Sequence, residues 1–140
     1  MEYKLKALNT QNRISYIKHV MFRQLSDIYM HHYPLSLTSF FIRPAVDNLV
    51  KNSIVIMIMD EEYPELILGF TIVEKPNIVH FLYIKETYRK HGLAKDVIEK
   101  LFAGAPIITT LVSPTGKRLL EKFNATVDNR ALKHFTLENE

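Results

Sequence analysis

Hydrophobic and polar positions alternate at the start of the chain and then recur at helical spacing. Residues 3–8 alternate in character, which predicts a short first strand. Beyond them, apolar side chains recur at intervals of three and four residues, which predicts an amphipathic helix over 11–30. A second helix is predicted over 35–51, and Pro44 should kink or split it because proline removes a helical hydrogen bond.

The middle of the chain has the shorter apolar runs that are typical of strands. Strands are predicted over 53–59, 66–74 and 78–84. Polar turns at 60–64 and 75–77 separate them, so the first two should form a hairpin.

The last part of the chain mixes helical and strand patterns. A helix is predicted over 93–102, because its apolar residues share one face and Gly104 and Pro106 follow it. The elements expected after it are a buried strand, a short helix and two short strands, at 107–112, 115–123, 126–128 and 132–137. Some strands are joined by turns and others by helices. The predicted fold is therefore α/β (α+β), with a mixed, mostly antiparallel central sheet flanked by helices.

Length and composition narrow the class of protein. The 140 residues fit one domain, 1–140, and 47% hydrophobic with 24% charged residues is ordinary for a globular chain. The absence of cysteine excludes disulfides, thiolate metal sites and a cysteine nucleophile. A net charge of +3 permits an anionic ligand and is too small to indicate nucleic acid. We expect no metal, no membrane partner and, since no signal or spanning segment is visible, a cytoplasmic location.

The segment 82–94 gives the clearest indication of a ligand-binding site. An apolar strand ends in a basic turn that contains Gly92 and then opens an amphipathic helix. The N–H groups at such a junction, together with the helix dipole, form a site for phosphate or pyrophosphate. Positive side chains follow the strand: Arg89, Lys90, His91 and Lys95. The alternative is an ordinary connection whose charges are simply solvated.

The pattern Arg89-x-x-Gly92-x-Ala94, preceded by the turn Lys85-Glu86-Thr87-Tyr88, resembles motif A of the GNAT N-acetyltransferase superfamily. The resemblance implies the acyl-CoA N-acyltransferase fold and acetyl-CoA as co-substrate. It also implies that the amides of the turn hold the pyrophosphate, while the end of the preceding strand pairs with the pantetheine arm. The implied coenzyme-binding residues are Leu82, Tyr83, Ile84, Arg89, Lys90, His91, Gly92, Leu93, Ala94, Lys95 and Ser113.

The second coenzyme motif of that family, Asn-x-x-Ala-x-x-Leu-Tyr-x-x-x-Gly-Phe, is matched with changes at 113–125. Ser113 replaces the asparagine, and Leu120 replaces the tyrosine that often serves as general acid. Asn124-Ala125 replaces Gly-Phe. The usual acid is therefore absent from this chain.

Two functions follow from the resemblance. The first is an acetyl-CoA-dependent N-acetyltransferase that moves an acetyl group to a primary amine of a small molecule or protein by direct attack in a ternary complex. The lack of cysteine excludes an acetyl-cysteine intermediate. The alternative is a catalytically inactive GNAT-like coenzyme- or protein-binding module, such as a phage virion-associated or other structural protein. Many relatives dimerise, so a homodimer stays open.

His80 is the candidate general base. Two-residue spacing places it on one strand face with Leu82 and Ile84, and an imidazole titrates near neutral pH. The alternative is a structural histidine bonded to a carbonyl. Glu74, at the end of the neighbouring strand, is a second candidate that could bind the amine or be solvated. Tyr83 alternates to the opposite face, where it should pack in the core.

Overall fold

The structure of this protein is a computed structural model. It describes residues 2–7, 11–29, 35–89, 92–109 and 126–127. Within these ranges the chain forms the following strands and helices in order: β1 Tyr3–Ala7, α1 Gln11–Tyr29, α2 Leu35–Asn52, β2 Ile54–Asp60, β3 Ile67–Glu74, β4 Ile78–Ile84, α3 Leu93–Phe102, β5 Ile108–Thr109 and β6 Thr126–Val127. A single 3-10 turn, Glu86–Tyr88, lies between β4 and α3.

The predicted helices and strands are largely confirmed. The bounds of α3 and β4 are those predicted, and α1, β2 and β3 differ from prediction by one residue at their ends. The predicted helix over 115–123, the strand over 132–137 and the end of the strand over 107–112 lie outside the described residues.

Of the two outcomes predicted for Pro44, a kink or a split of the second helix, the split is wrong. Helix α2 is continuous through Pro44, which is exposed. Three residues that follow it, Val46, Leu49 and Val50, are buried in the core. Their packing holds the last turns in helical conformation, because tertiary contacts provide most of the stability of a helix in a protein.

The six strands form one sheet in the order β1-β2-β3-β4-β5-β6. The first three neighbouring pairs are antiparallel. The short pairs of β4 with β5 and of β5 with β6 are parallel. The prediction of a mixed, mostly antiparallel sheet is confirmed.

Helices pack on both faces of this sheet. On one face, a buried cluster joins α1 and α2 to the strands through Ile17, Met21, Val46, Leu49, Val55, Met57, Phe70, Ile72 and Phe81, among others. On the other face, two clusters join the strands to α3: Ile58, Leu68, Ile84, Leu93 and Val97, and Val73, Val79, Ile98 and Ile107. We call these the α1/α2 face and the α3 face.

No helix within the described ranges combines the length and the apolar character needed to cross a membrane.

Candidate functional site

The connection from β4 to α3 contains residues 90–91, which lie outside the described residues. Main-chain hydrogen bonds define the turn that precedes them. The Lys85 N–H donates to a β3 carbonyl at 2.9 Å, and the Tyr88 N–H donates to the Lys85 carbonyl at 2.9 Å. Gly92 then adopts a left-handed conformation (φ 72°, ψ 11°) and begins α3 as its N-cap. Glycine reaches this conformation at no steric cost, which explains its place at the start of this helix.

Within the described ranges, the first N–H groups of α3 have no side-chain cap. The Gly92 carbonyl accepts from Asp96 N–H at 3.0 Å, but Gly92 has no side chain with which to cap the helix. The N–H groups of Leu93, Ala94 and Lys95 precede the first intrahelical bond and lack acceptors within the helix. A Cβ placed on Gly92 would meet no atom of the described residues within 4 Å. This end of α3 therefore offers space, donors and a favourable dipole to an anion.

Asp96 is the acidic residue in the first turn of α3, and its carboxylate is held on the β1 side. The Tyr3 hydroxyl donates to Asp96 Oδ2 at 2.6 Å, and Lys100 Nζ lies 3.8 Å from the same oxygen. Burial of the phenol, together with the Asp96 carboxylate, raises the pKa of Tyr3 well above its usual range. Tyr3 therefore remains a donor at neutral pH, and together with Lys100 it offsets the negative charge of Asp96.

Arg89 turns its side chain back onto β4. Its Nε donates to the Ile84 carbonyl at 2.7 Å, and its guanidinium carbon lies 5.7 Å from the centre of the Tyr83 ring. The side chain of Arg89 thus ties the turn to the last residue of the strand.

The edge of β4 that faces β5 is closed at the start of the strand. Ile78 and Val79 pair with Ile108 and Thr109. Asn77 lies just before them, and its main-chain carbonyl accepts from the Ile108 N–H at 2.9 Å. The side-chain amide of Asn77 donates to the Pro106 carbonyl at 2.7 Å.

Farther along β4, main-chain groups are directed away from β3. The Phe81 carbonyl accepts from the Thr71 hydroxyl at 2.8 Å, and Lys85 N–H donates to β3. Because edges alternate in an antiparallel pair, the groups of Leu82 and Ile84 face the opposite side. We call the main-chain groups of these two residues the distal edge. Within the described residues, no strand pairs with the distal edge.

His80 is the extra residue of a β-bulge. Ile72 pairs with Phe81, and the next β3 residue, Val73, pairs with Val79, so His80 has no partner in the register. Val79 and Leu82, three residues apart, consequently both pack on the α3 face. Strict two-residue alternation is therefore interrupted between Val79 and Leu82.

The structure brings the two candidate catalytic residues together. His80 Nε2 lies 2.8 Å from Glu74 Oε1. The imidazole is fully buried, whereas 15% of the Glu74 side chain is exposed. A nearby carboxylate stabilises the imidazolium form and burial opposes it. The pair links the last residue of β3, Glu74, to His80 near the start of β4. Val79, the residue before His80, lies in the part of β4 that pairs with β5.

Three aromatic rings pack between α1 and the end of β4. The Tyr83 ring lies 5.6 Å from the Phe70 ring and packs against the cluster on the α1/α2 face, as predicted for this residue. Burial of the phenol, and to a smaller extent the nearby Tyr83 phenol, raises the pKa of Tyr16. Lys85 Nζ lies 5.9 Å from the centre of the Tyr16 ring. These contacts place the Lys85 ammonium beside the Tyr16 ring, on the α1/α2 face.

The described part of the predicted site is contiguous. Gly92, Leu93, Ala94 and Lys95 form the start of α3, and Arg89 and the distal edge adjoin it. The predicted coenzyme-binding residues Lys90, His91 and Ser113, as well as Leu120, lie outside the described residues. Among the described residues, no group of three or more His, Asp or Glu side chains is arranged to hold a metal ion.

Sequence reasoning did not single out Thr109. Its side chain is buried in β5, yet its hydroxyl has no hydrogen-bond partner within the described residues. A threonine in an apolar run of β-branched residues gives no signal of its own, because only the tertiary surroundings show whether its hydroxyl is satisfied.

Comparison with solved structures shows the same architecture in acetyltransferases. A GCN5-related N-acetyltransferase from Rhodopseudomonas palustris superposes with a TM-score of 0.59 at 11% identity, over 87% of this chain and 81% of that one. A predicted acetyltransferase from Clostridium acetobutylicum, solved with acetyl-CoA, has a TM-score of 0.57 at 16% identity, over 99% and 96% of the two chains. The chain has the GNAT acetyltransferase fold. No protein-family model matches the sequence, and no curated protein matches it.

A third solved structure with the GNAT fold is a ribosomal-protein-alanine N-acetyltransferase from Brucella melitensis. It has a TM-score of 0.54 at 16% identity and covers 92% of this chain and 94% of its own. The similarity therefore extends over nearly the full length of both chains. At these identities the likeness establishes the GNAT fold, and the chemistry has to be argued from the residues of this chain.

Proposed function

We propose that the protein is an acetyl-CoA-dependent N-acetyltransferase that moves an acetyl group to a primary amine. The observation that carries this proposal is the start of α3, where Gly92 is in left-handed conformation and three N–H groups have no side-chain cap among the described residues. An anionic pyrophosphate fits that end of the helix. The GNAT fold, shared with acetyltransferases, supports the same choice of ligand.

The coenzyme is proposed to follow β4 backwards from this site. Its pyrophosphate binds the N–H groups of Leu93, Ala94 and Lys95, since the Arg89 N–H already donates to the Glu86 carbonyl at 3.2 Å. The pantetheine arm carries amide groups that can pair with the distal edge as another strand would. Because Arg89 already occupies the Ile84 carbonyl, the groups left for the arm are the Ile84 N–H and the N–H and C=O of Leu82. The thioester then lies toward the closed end of the β4–β5 edge.

The proposed reaction is direct transfer. The amine nitrogen attacks the thioester carbonyl, a C–N bond forms, and the C–S bond breaks to release the coenzyme thiolate. The amine gives one proton to a base. Since Leu120 stands where relatives often have the acid tyrosine, the thiolate takes its proton from water.

The His80–Glu74 pair is the proposed base. A histidine held by a carboxylate is a common arrangement for proton abstraction, because the carboxylate orients the ring and stabilises its protonated form. Glu74 is the more exposed member, so a proton from the amine can enter the pair at the Glu74 carboxylate or through one water molecule.

A second candidate function is coenzyme binding without transfer. The full burial of the His80 ring favours it, because a base must come within hydrogen-bond reach of the amine. The two functions make the same prediction for binding and opposite predictions for turnover.

The experiment that separates them combines calorimetry with thiol release. Acetyl-CoA is titrated into the full chain, and free coenzyme thiol is then followed with a chromogenic disulfide over a panel of amines. The chain has no cysteine, so protein thiols add no background. Binding with amine-dependent thiol release supports the transferase. Binding without release across the panel supports the module, and no binding at millimolar acetyl-CoA contradicts both.

The role of His80 is tested with His80→Gln. Turnover should fall by about 100-fold or more, as is typical for loss of a general base, while the dissociation constant of acetyl-CoA stays within about threefold. The ionisation of the base should also disappear from the pH–rate profile. His19→Gln is the matched control, since His19 is exposed on α1.

His80→Gln tests the pair only if the protein folds, because breaking a buried pair is destabilising. Circular dichroism establishes folding, and Glu74→Gln provides a second, more exposed variant that should lower turnover in the same way. An unchanged pH–rate profile in a folded His80→Gln variant would show that His80 is not the base.

A further inference from the structure

Tyr3, Asp96 and Lys100 form a closed cluster between β1 and α3. The Tyr3 hydroxyl donates to Asp96 Oδ2 at 2.6 Å. Lys100 Nζ lies 3.8 Å from the same oxygen and 4.3 Å from the centre of the Tyr3 ring, so each member contacts the other two. Tyr3 and Asp96 are 93 residues apart in the chain. The cluster therefore ties the first turn of α3 to β1, the first strand in the order of the sheet.

The hydrogen bond from Tyr3 is the strongest contact of this cluster. The side chains of Lys100 and Asp96 are 57% and 52% exposed, and an ion pair at such an exposure contributes little. A short hydrogen bond from a hydroxyl to a carboxylate is stronger and more directional. The half-buried ring of Tyr3 also packs against the apolar cluster that contains Leu93 and Val97. Because this packing holds the phenol in place, the phenol determines where the Asp96 carboxylate lies.

The Asp96 carboxylate belongs to the turn of α3 that adjoins the proposed anion site. The Asp96 N–H donates to the Gly92 carbonyl at 3.0 Å, so Asp96 lies one turn from the residue that begins the helix. The Cα–Cβ bonds of a helix tilt toward its N-terminus, and a side chain in this position covers the turn before it. That turn contains the N–H groups proposed to bind the pyrophosphate. An Asp96 carboxylate that was free to move over it would repel a phosphate.

We propose that Tyr3 is a positioning residue for coenzyme binding, since its hydroxyl holds the Asp96 carboxylate on the β1 side and so reduces the repulsion between this charge and the phosphates of the coenzyme. This inference rests on the proposed function, because it requires a phosphate at the start of α3. Tyr3 acts through Asp96 and not through contact with the coenzyme. Lys100 has a supporting part, because its ammonium offsets the same negative charge.

The test is a double-mutant cycle in which the dissociation constant of coenzyme A is measured. Tyr3→Phe retains the ring and removes the hydroxyl. We expect it to bind coenzyme A about 3- to 5-fold more weakly than wild type at low ionic strength. The loss should shrink to less than about twofold at high ionic strength, because salt screens the exposed Asp96 carboxylate.

The second half of the cycle removes the charge that Tyr3 holds. Asp96→Asn should bind coenzyme A at least as tightly as wild type. Adding Tyr3→Phe to Asp96→Asn should change the affinity by less than about 1.5-fold, because no carboxylate is left to be positioned. A role of Tyr3 in packing alone would not be cancelled by Asp96→Asn, so this cancellation separates positioning from stability.

Tyr63→Phe is the matched control, since Tyr63 is 55% exposed in the hairpin between β2 and β3. It should leave the affinity for coenzyme A unchanged. A Tyr3→Phe protein that binds as wild type does, or a loss that persists in the Asp96→Asn background, would overturn the role of Tyr3. A wild-type protein that does not bind coenzyme A would instead overturn the proposed function itself.

Circular dichroism establishes that each variant folds. Should Tyr3→Phe not fold, Lys100→Gln replaces it, because Lys100 lies beside the same carboxylate oxygen. Lys100→Gln should weaken the binding of coenzyme A about twofold at low ionic strength, and Asp96→Asn should cancel this loss as well. An equal loss with and without Asp96→Asn would show that the cluster does not act through the Asp96 charge.

Discussion

Arg89 has a structural contact that its place in the basic turn does not reveal. Its Nε donates to the Ile84 carbonyl at 2.7 Å, so part of the guanidinium binds the protein itself. A guanidinium is a planar group with several fixed donors, whereas a lysine ammonium is a point charge on a flexible stem. The contact makes Arg89 a positioning residue for the distal edge as well as a source of positive charge.

The substitution Arg89→Lys separates these roles. It keeps the charge and loses the bond to the Ile84 carbonyl, so the turn should loosen and the affinity for coenzyme A should fall about 3- to 10-fold. This loss should persist at high salt, because it comes from geometry rather than from long-range charge. Calorimetry at low and high ionic strength measures both quantities.

Lys95→Ala is the control for charge alone. Lys95 is exposed in the first turn of α3, so its effect on affinity should shrink as salt rises. Equal affinity of Arg89→Lys and wild type at every salt concentration would show that the Ile84 contact has no part in binding.

At the residue scale, candidate site residues can be picked out of the sequence where the signal is local. A glycine in a basic turn between a strand and a helix marks Gly92, and an imidazole on an apolar strand marks His80. The pairing of His80 with Glu74 was not predictable, because two-residue alternation assumes a regular pleat and His80 is the extra residue of a bulge. The unpartnered hydroxyl of Thr109 depends on its tertiary surroundings and has no counterpart in the sequence.

At the level of elements, the close approach of β3 and β4 depends on Gly69. A Cβ placed on this buried glycine would overlap the Tyr83 carbonyl oxygen and lie 3.0 Å from Ile84 Cα. Both obstacles are main-chain atoms of β4, so they cannot rotate away. Any larger residue at Gly69 must push apart the two strands that carry Glu74 and His80.

Gly69→Ala should therefore destabilise the protein by about 1–3 kcal/mol, the usual range for overpacking. Urea unfolding followed by circular dichroism measures the change in the free energy of unfolding. The affinity for coenzyme A should fall as well, because the distal edge moves with β4. A Gly69→Ala protein whose urea midpoint equals that of wild type would contradict the account of this contact.

The elements themselves were largely predictable, since periodicity reflects which residues are buried. The bounds of β4 and α3 agree with the sequence pattern because each has a clear apolar face and a clear turn beside it. Pro44 is the exception. Local chemistry favours a break there, and the packing of Val46, Leu49 and Val50 keeps the helix continuous.

At the scale of the whole molecule, the two faces of the sheet are covered by different helices. The α1/α2 face contains most of the core and the aromatic rings beside Lys85, whereas α3 covers the other face and begins at the proposed anion site. The order of elements and the motif around Gly92 were enough to predict this architecture. The identity of the acceptor amine was not, because no residue pattern in the first two helices points to one kind of amine.

The central claim is that the N-terminus of α3 binds the pyrophosphate of coenzyme A. Gly92 and Gly104 flank the same helix and both have positive φ (72° and 83°). A Cβ on either would meet nothing within 4 Å among the residues that the structure describes. Glutamate at either position therefore adds the same bulk, charge and backbone strain, but only Gly92→Glu puts them at the anion site.

The most direct test is the dissociation constant of coenzyme A measured by calorimetry for wild type, Gly92→Glu and Gly104→Glu. We predict that wild type binds with a dissociation constant below about 1 mM, that Gly92→Glu binds about 100-fold more weakly or not at all, and that Gly104→Glu stays within about twofold of wild type. Equal affinity of the two glutamate variants, or no binding by wild type, would contradict the claim.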